Sequence, residues 1–272
     1  MTLPARNPAA GPAADHAPAV LDARALGVTY RTKRGPIEAL RDLTLSVAAG
    51  EFVAVLGPSG CGKSTLLKVA AGLMQPSAGS LTLHGTAVVR PRPDVGVVFQ
   101  KANLLPWKTV LGNAVIAADS LGHDKAASRA RARELLEGVG LRGFVDNYPQ
   151  ELSGGMQQRV GLVRALVHDP GVLFMDEPFA ALDAMTREHM TMELQNLWLR
   201  TGKSVVFITH SIPEAVFLAD RVVVLSGRPG QVVEDMAIDI PRPRDLDTMS
   251  DARFARFCAH LRGHFRSVLV GD

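Results

Sequence analysis

The chain has only two cysteines in 272 residues, and one of them, Cys61, sits inside a glycine-rich loop. No disulfide framework is available, and this usage fits a reducing cytosol. Long hydrophobic runs are also missing. The longest, such as Val205 to Thr209 and Arg221 to Leu225, are strand-length and far short of the about 18 residues that a membrane span needs. No basic stretch followed by an apolar core marks the N-terminus, which speaks against a secretory signal. The Ala/Pro-rich residues Met1 to about Val20 read instead as a disordered leader. Charge of one sign is not in excess: the net charge is +3 and the arginines are scattered, so no nucleic acid is expected as a partner. What is present is 47% hydrophobic content, enough to bury a large core as one domain with a smaller subdomain.

The most specific local pattern is Gly57-Pro58-Ser59-Gly60-Cys61-Gly62-Lys63-Ser64-Thr65, which matches the phosphate-binding loop G-x-x-x-x-G-K-[ST] at each fixed position. An apolar strand from Glu51 to Leu56 precedes it and a helix from Ser64 to Ala71 follows, which is the context the motif requires. The chemistry follows from the residue types. Glycines let backbone N–H groups curl around phosphates, and the helix start adds its dipole. Lys63 reaches the β- and γ-phosphates, and the Ser64 hydroxyl is suited to Mg²⁺. A thiol at that helix start, Cys61, is expected to be activated.

Such a loop needs a carboxylate for the metal at the end of a neighbouring strand, and Val172-Leu173-Phe174-Met175-Asp176 supplies Asp176. Glu177 adds a second carboxylate beyond the strand, suited to take a proton from the water that attacks the γ-phosphate. A surface acidic pair before the Pro178 turn is the plainer reading of the same residues. Further along, Leu152-Ser153-Gly154-Gly155-Met156 opens an amphipathic helix running to about His168. Ser153 caps that helix while Gly154 and Gly155 leave its first N–H groups bare, which makes a second anion site. A second such site makes sense if it covers the γ-phosphate held by another copy.

On these motifs the chain resembles the ATP-binding cassette ATPases over residues 22 to 240. The family's signature is LSGG-Q, and this sequence departs from it only in carrying Met156 for the usual glutamine. The resemblance implies further roles. Gln100, after a strand from Val95 to Phe99, looks like the glutamine that contacts Mg²⁺ and water and links the nucleotide to a membrane partner. Ala181-Leu182-Asp183 looks like the D-loop, with Asp183 facing the opposite subunit. His210, after a strand from Ser204 to Thr209, looks like the histidine that holds the γ-phosphate and orients the base. Tyr30 looks like the aromatic that stacks on adenine. Read alone, His210 is a solvated strand-end histidine and Tyr30 a strand-packing tyrosine.

The expected fold class is α/β. A P-loop NTPase core of RecA-like type, with a mainly parallel sheet, carries an antiparallel β subdomain and an inserted α-helical subdomain. Residues 1–20 would form the leader, 21–240 the ATPase domain with its helical subdomain at about 101–165, and 241–272 a C-terminal helical extension. Apolar patches at Leu26 to Tyr30, Leu43 to Val47 and Leu81 to Leu83 suggest the antiparallel part. Ala126 to Glu137 forms a helix with Arg129, Arg131 and Arg133 as either a solvated face or a basic patch. Phe254, Phe257, Leu261 and Phe265 recur at helical spacing and belong to a terminal helix that packs on the body. Leu104-Leu105-Pro106-Trp107-Lys108-Thr109-Val110 holds one of two tryptophans and reads as a socket for a partner helix or as local packing.

The stretch from Gln100 to Val110, His210 to Ala215 and Pro241-Arg242-Pro243-Arg244 most resembles the nitrate/sulfonate/taurine importer branch. That resemblance implies an ATPase with ATP and Mg²⁺ as cofactors, paired with a second copy of itself on the cytoplasmic face of the inner membrane. It would drive a transmembrane permease through residues 100–110 and depend indirectly on an external solute-binding protein. A soluble non-transport cassette ATPase and an exporter subunit are the alternatives.

Overall fold

The computed structural model describes residues 19–180 and 182–270, so most of the expected leader, Ala181 of the expected D-loop and the last two residues lie outside it. Two long strands, β1 (Ala19–Thr32) and β2 (Gly35–Ala48), form an antiparallel hairpin. Ala19 and Val20 thus belong to a paired strand rather than to a leader, because Ala19 pairs with Ala48. Next come β3 (Phe52–Leu56), α1 (Lys63–Ala70), β4 (Ala78–Leu83), β5 (Thr86–Ala87) and β6 (Val95–Val98). The helical group follows as α2 (Val110–Ala114), α3 (Ile116–Ser120), α4 (Lys125–Gly138) and α5 (Gly154–Leu166). The chain then runs through β7 (Val172–Asp176), α6 (Ala184–Thr201), β8 (Ser204–Thr209), α7 (Ile212–Leu218), β9 (Arg221–Leu225) and β10 (Val232–Ala237), and closes with α8 (Leu246–Met249) and α9 (Ala252–Val270).

Two sheets result: a four-stranded antiparallel sheet in the order β2-β1-β4-β5, and a six-stranded sheet in the order β10-β9-β3-β8-β7-β6. In the second, only the edge strand β10 is antiparallel. All five residues of β3 and all six of β8 are buried, as strands covered on both faces require. Alternate residues feed opposite cores. Ala54, Phe207 and Val224 face a layer with α6, α7 and α9, while Val55, Ile208 and Leu225 face α1 and the antiparallel sheet. Phe254 and Leu261 are buried in the first layer, so α9 packs onto the body as its spacing predicts. A third cluster, including Val110, Leu136 and Val163, holds α2, α4 and α5 together. Arg131 of α4 pairs with Asp169 at 2.8 Å, whereas Arg129 and Arg133 are exposed.

Register is what builds the site. Leu56 pairs with Thr209, Asp176 with Ile208 and Val98 with Met175. The phosphate loop, His210, Glu177 and Gln100 therefore all leave the sheet at one edge, the carboxyl ends of its parallel strands, where α/β sheets bind ligands.

Candidate nucleotide site

The loop from Gly57 to Gly62 closes around the N-terminus of α1. Gly62 holds φ +109°, and a Cβ there would come within 2.6 Å of the Ala39 carbonyl oxygen, so the turn accepts glycine alone. No side chain caps α1, which leaves its first N–H groups free to meet an anion. Ser59, Gly60, Gly62, Lys63, Ser64 and Thr65 line a cleft of about 480 Å³ together with Tyr30, Glu177 and Arg228.

Lys63 is buried, and its Nζ donates to the carbonyls of Gly57 at 2.8 Å and Pro58 at 3.1 Å. Those neutral acceptors satisfy the ammonium without neutralising it, so the cation is held in place for a stronger anionic partner. Glu177 Oε1 lies 4.0 Å from that nitrogen, and Glu177 Oε2 lies 3.2 Å from His210 Nδ1. Glu177 sits at φ 45°, an unusual conformation for a residue of its size, and its N–H donates to the Ile208 carbonyl at 2.9 Å. The strained turn aims the carboxylate back into the cleft between the lysine and the histidine.

Ser64 Oγ donates to Asp176 Oδ1 at 3.2 Å. Burial pushes the Asp176 carboxyl up, against the Ser64 hydrogen bond that lowers it. An ionised carboxylate so placed gains from a cation, and two hard oxygen donors this close suit Mg²⁺. Tyr30 is half-buried and anchored by a 3.1 Å hydrogen bond with Thr65 Oγ1.

Other sequence-nominated residues lie outside this cleft. Gln100 is exposed just beyond β6, and its side chain makes no hydrogen bond to Ser64 or Asp176 among the described residues; Gln158 Nε2 donates to the neighbouring Phe99 carbonyl at 3.0 Å. Ser153 caps α5, accepting from the Met156 N–H at 3.3 Å, and Gly154 is exposed with open space where a Cβ would stand. Asp183 caps α6 by accepting from the Thr186 N–H at 3.0 Å, and that bond holds its carboxyl below the usual range.

One expectation is overturned. Cys61 is only 1% exposed, and burial pushes its thiol up in spite of the nearby Lys63 charge. Desolvation of the thiolate outweighs the helix start, so the thiol is not activated.

Sequence reasoning also missed several residues. Arg228, on the loop after β9, lines the cleft and donates to the Gly60 carbonyl at 3.2 Å. Its only signal is its place after a parallel strand, at the same sheet edge as the phosphate loop. Glu214 is buried and accepts from Thr209 Oγ1 at 2.7 Å, with Arg187 of α6 at 3.6 Å. Burial raises the Glu214 carboxyl against those partners. This network ties the start of α6, which Asp183 caps, to the end of β8 at Thr209, next to His210. The Pro241–Arg244 stretch is structural. Arg242 Nε meets Asp220 at 3.0 Å, and its guanidinium stacks 4.3 Å over Trp198. Buried Arg244 donates to the carbonyls of Val216 at 2.7 Å, Phe217 at 3.0 Å and Ala219 at 2.8 Å, which are the orphan acceptors at the end of α7.

Between Gln100 and α2, buried Asn113 holds the connecting turn. Its side chain accepts from the Leu105 N–H and donates to the carbonyls of Leu105, Lys108 and Thr109, all between 2.7 and 3.1 Å. The turn presents Trp107 with 71% of its surface exposed.

Fold and cleft together define a P-loop nucleoside triphosphatase with an inserted helical segment. The ABC transporter family model matches residues 40–180. The chain is 50% identical over 209 residues to an uncharacterised ABC transporter ATP-binding protein of Methanocaldococcus jannaschii, covering 77% of this chain and 78% of that one. It is 48% identical over 224 residues to the taurine import ATP-binding protein TauB of Burkholderia pseudomallei, covering 82% and 86%. Among solved structures, a dimeric bacterial ABC transporter cassette, MJ0796, superposes with a TM-score of 0.72 at 32% identity, over 81% of this chain and 100% of that one. The chain belongs to the ABC transporter family, as an ATP-hydrolysing cassette.

Proposed function

We propose that this chain is the ATPase subunit of an importer for a small anionic solute of the taurine, aliphatic sulfonate or nitrate type. The observation that carries the hydrolytic part is the Glu177 carboxylate held between His210 and Lys63 at the mouth of the phosphate loop. The relatives named for taurine import support the transport part.

In this reading ATP lies along the cleft, with its adenine against Tyr30 and its phosphates on the loop from Gly57 to Thr65. Lys63 exchanges its carbonyl partners for β- and γ-phosphate oxygens. Glu177 takes the proton of the attacking water, and His210 fixes the carboxylate and the γ-phosphate relative to each other. Ser64 and Asp176, with Gln100 approaching on closure, would hold Mg²⁺, which supplies neutralisation of the charge that develops on the phosphates.

Two copies pair head to tail, so that Ser153, Gly154 and Gly155 of each cover the γ-phosphate held by the other, with Asp183 at the seam. The signature loop standing outside its own chain's cleft supports this arrangement. A separate membrane permease docks at residues 100–110, which places the pair on the cytoplasmic face of the inner membrane, and an external binding protein delivers the solute. The domain limits proposed are 19–240 for the ATPase, beginning with β1, with a helical subdomain at about 101–165, and a C-terminal extension from 241.

The test is capture of tagged Glu177→Gln protein with ATP from detergent-solubilised membranes. Recovery of a multi-span permease, followed by ATP-dependent uptake of taurine into vesicles holding both proteins, is the expected result. Ribosomal or DNA-bound partners instead would keep the ATPase and overturn the importer.

A further inference from the structure

Away from the nucleotide cleft, β10 and α9 bring together three side chains that the sequence holds far apart. Glu234 comes from β10. His260 and His264 are four residues apart on α9 and so share one face of the helix. His260 Nε2 lies 2.7 Å from Glu234 Oε1, and His264 Nε2 touches Glu234 Oε2. The two imidazole rings stand 5.8 Å apart at 70° to each other. One donor atom from each of the three residues falls within 4.8 Å of the others. Glu234 Oε2 is buried and has no hydrogen bond among the described residues, although it lies against an imidazole nitrogen.

We propose that Glu234, His260 and His264 form a binding site for a borderline transition-metal dication of the zinc type, which clamps α9 to the edge strand β10. The donor set selects the metal class. Two imidazole nitrogens and one carboxylate oxygen suit zinc and its neighbours, whereas magnesium and calcium take oxygen ligands. Spacing agrees as well. A tetrahedral ion with bonds of about 2.0–2.1 Å sets neighbouring ligand atoms roughly 3.3 Å apart, so the His260–Glu234 contact needs to open by only about 0.6 Å. A hollow of about 370 Å³ lined by Asp239, Arg253, Arg256 and Phe257 adjoins His260 and leaves room for a water as fourth ligand.

The competing account is an ion-paired cluster in which each histidine shares a proton with Glu234, with no affinity for metal. The two accounts differ in one measurement. Untagged full-length protein, stripped with a chelator and free of nucleotide and Mg²⁺, is titrated with zinc chloride by calorimetry and by thermal melting. The proposal expects one saturable site of micromolar or tighter affinity and a rise in melting temperature at saturation. His264→Ala and Glu234→Gln should each weaken binding at least tenfold. His260→Gln, which retains a hydrogen-bond donor toward Glu234, should do the same while keeping the metal-free melting temperature. ATP hydrolysis with Mg²⁺ should be unchanged in all three, because the site is remote from the cleft. No saturable binding to the wild-type chain, or equal zinc affinity in the variants, overturns the proposal. Variants that only melt lower without losing zinc affinity would establish the ion-paired cluster.

Discussion

His210 Nδ1 lies 3.2 Å from Glu177 Oε2, so the last residue of one strand's exit holds the carboxylate that follows the neighbouring strand. Because β7 and β8 are paired in register, with Asp176 opposite Ile208, the two residues leave the sheet side by side. Replacing Glu177 with Gln keeps the shape and removes the proton acceptor. ATP affinity is expected to stay within a few fold while kcat falls at least ~10²-fold, the scale of a general base. Steady-state hydrolysis with a nucleotide-binding titration checks it, and near wild-type turnover would take Glu177 out of that role.

Tyr30 and Arg228 border the same cleft as the phosphate loop. Tyr30→Ala is expected to weaken ATP binding by about 1–3 kcal/mol, the range for stacking of a base on an aromatic ring. Tyr30→Phe, which loses only the hydrogen bond to Thr65, should keep most of the affinity. Arg228→Ala removes a cation beside the phosphate path and should raise Kd for ATP with a steeper effect at low salt. Fluorescent-nucleotide titrations at two ionic strengths separate the cases.

The burial of Cys61 makes a chemical prediction. At neutral pH without denaturant, its reaction with a maleimide should be slower than that of a free thiol, because the raised thiol holds little thiolate and lies beneath the loop. Mass mapping of the labelled peptide against time measures this, and labelling as fast as a small-molecule thiol would contradict the geometry.

Legibility divides along the same line. Lys63, Ser64, Asp176 and Glu177 were readable because phosphate chemistry needs particular residue types within one loop or at one strand end, and such patterns survive in one dimension. The Ser153 cap at the start of α5 was readable for the same reason, from a local pattern. The Cys61 expectation weighed the helix start without the hydrophobic core around α1, which leaves the residue only 1% exposed. Arg228, the Glu214–Arg187 contact and the Arg244 fan depend on segments meeting across the fold. Residue types alone do not disclose such meetings.

Arg244 replaces the missing helix partners at the end of α7, and its removal leaves several buried carbonyls unsatisfied. Burial, and then the neighbouring Arg242, lower it to about 9, so it remains charged at neutral pH. Arg244→Ala is expected to destabilise the chain by about 3 kcal/mol, the scale for stranded buried polar groups. A chemical denaturation midpoint measures it, and a loss under ~1 kcal/mol would mean that water replaces the guanidinium.

Asp169 ties Lys203 to Arg131, each at 2.8 Å, and the Lys203 hydrogen bond first holds its carboxyl below the usual range. Folded Asp169 therefore gives up its proton more readily than the unfolded chain does. Its contribution is present above about pH 4, the unfolded value, and is lost as pH falls through the lowered folded value. With the side chain 59% exposed, the effect should stay within about 1 kcal/mol. Asp169→Asn, which tolerates the positive φ of this position, should lower stability at pH 7 and leave it unchanged in acid where the carboxyl is protonated in both states, as acid-to-neutral denaturation series would show.

Asn113 gives the exposed Trp107 turn a mechanical character. The turn is fastened by one buried amide near the end of α2, so a push on the tryptophan would reach the helical layer as displacement instead of being absorbed by bending. In the importer proposed above, the turn would be a lever arm with its pivot inside the protein, and a loosened pivot would leave an engine that burns ATP while slipping against its load.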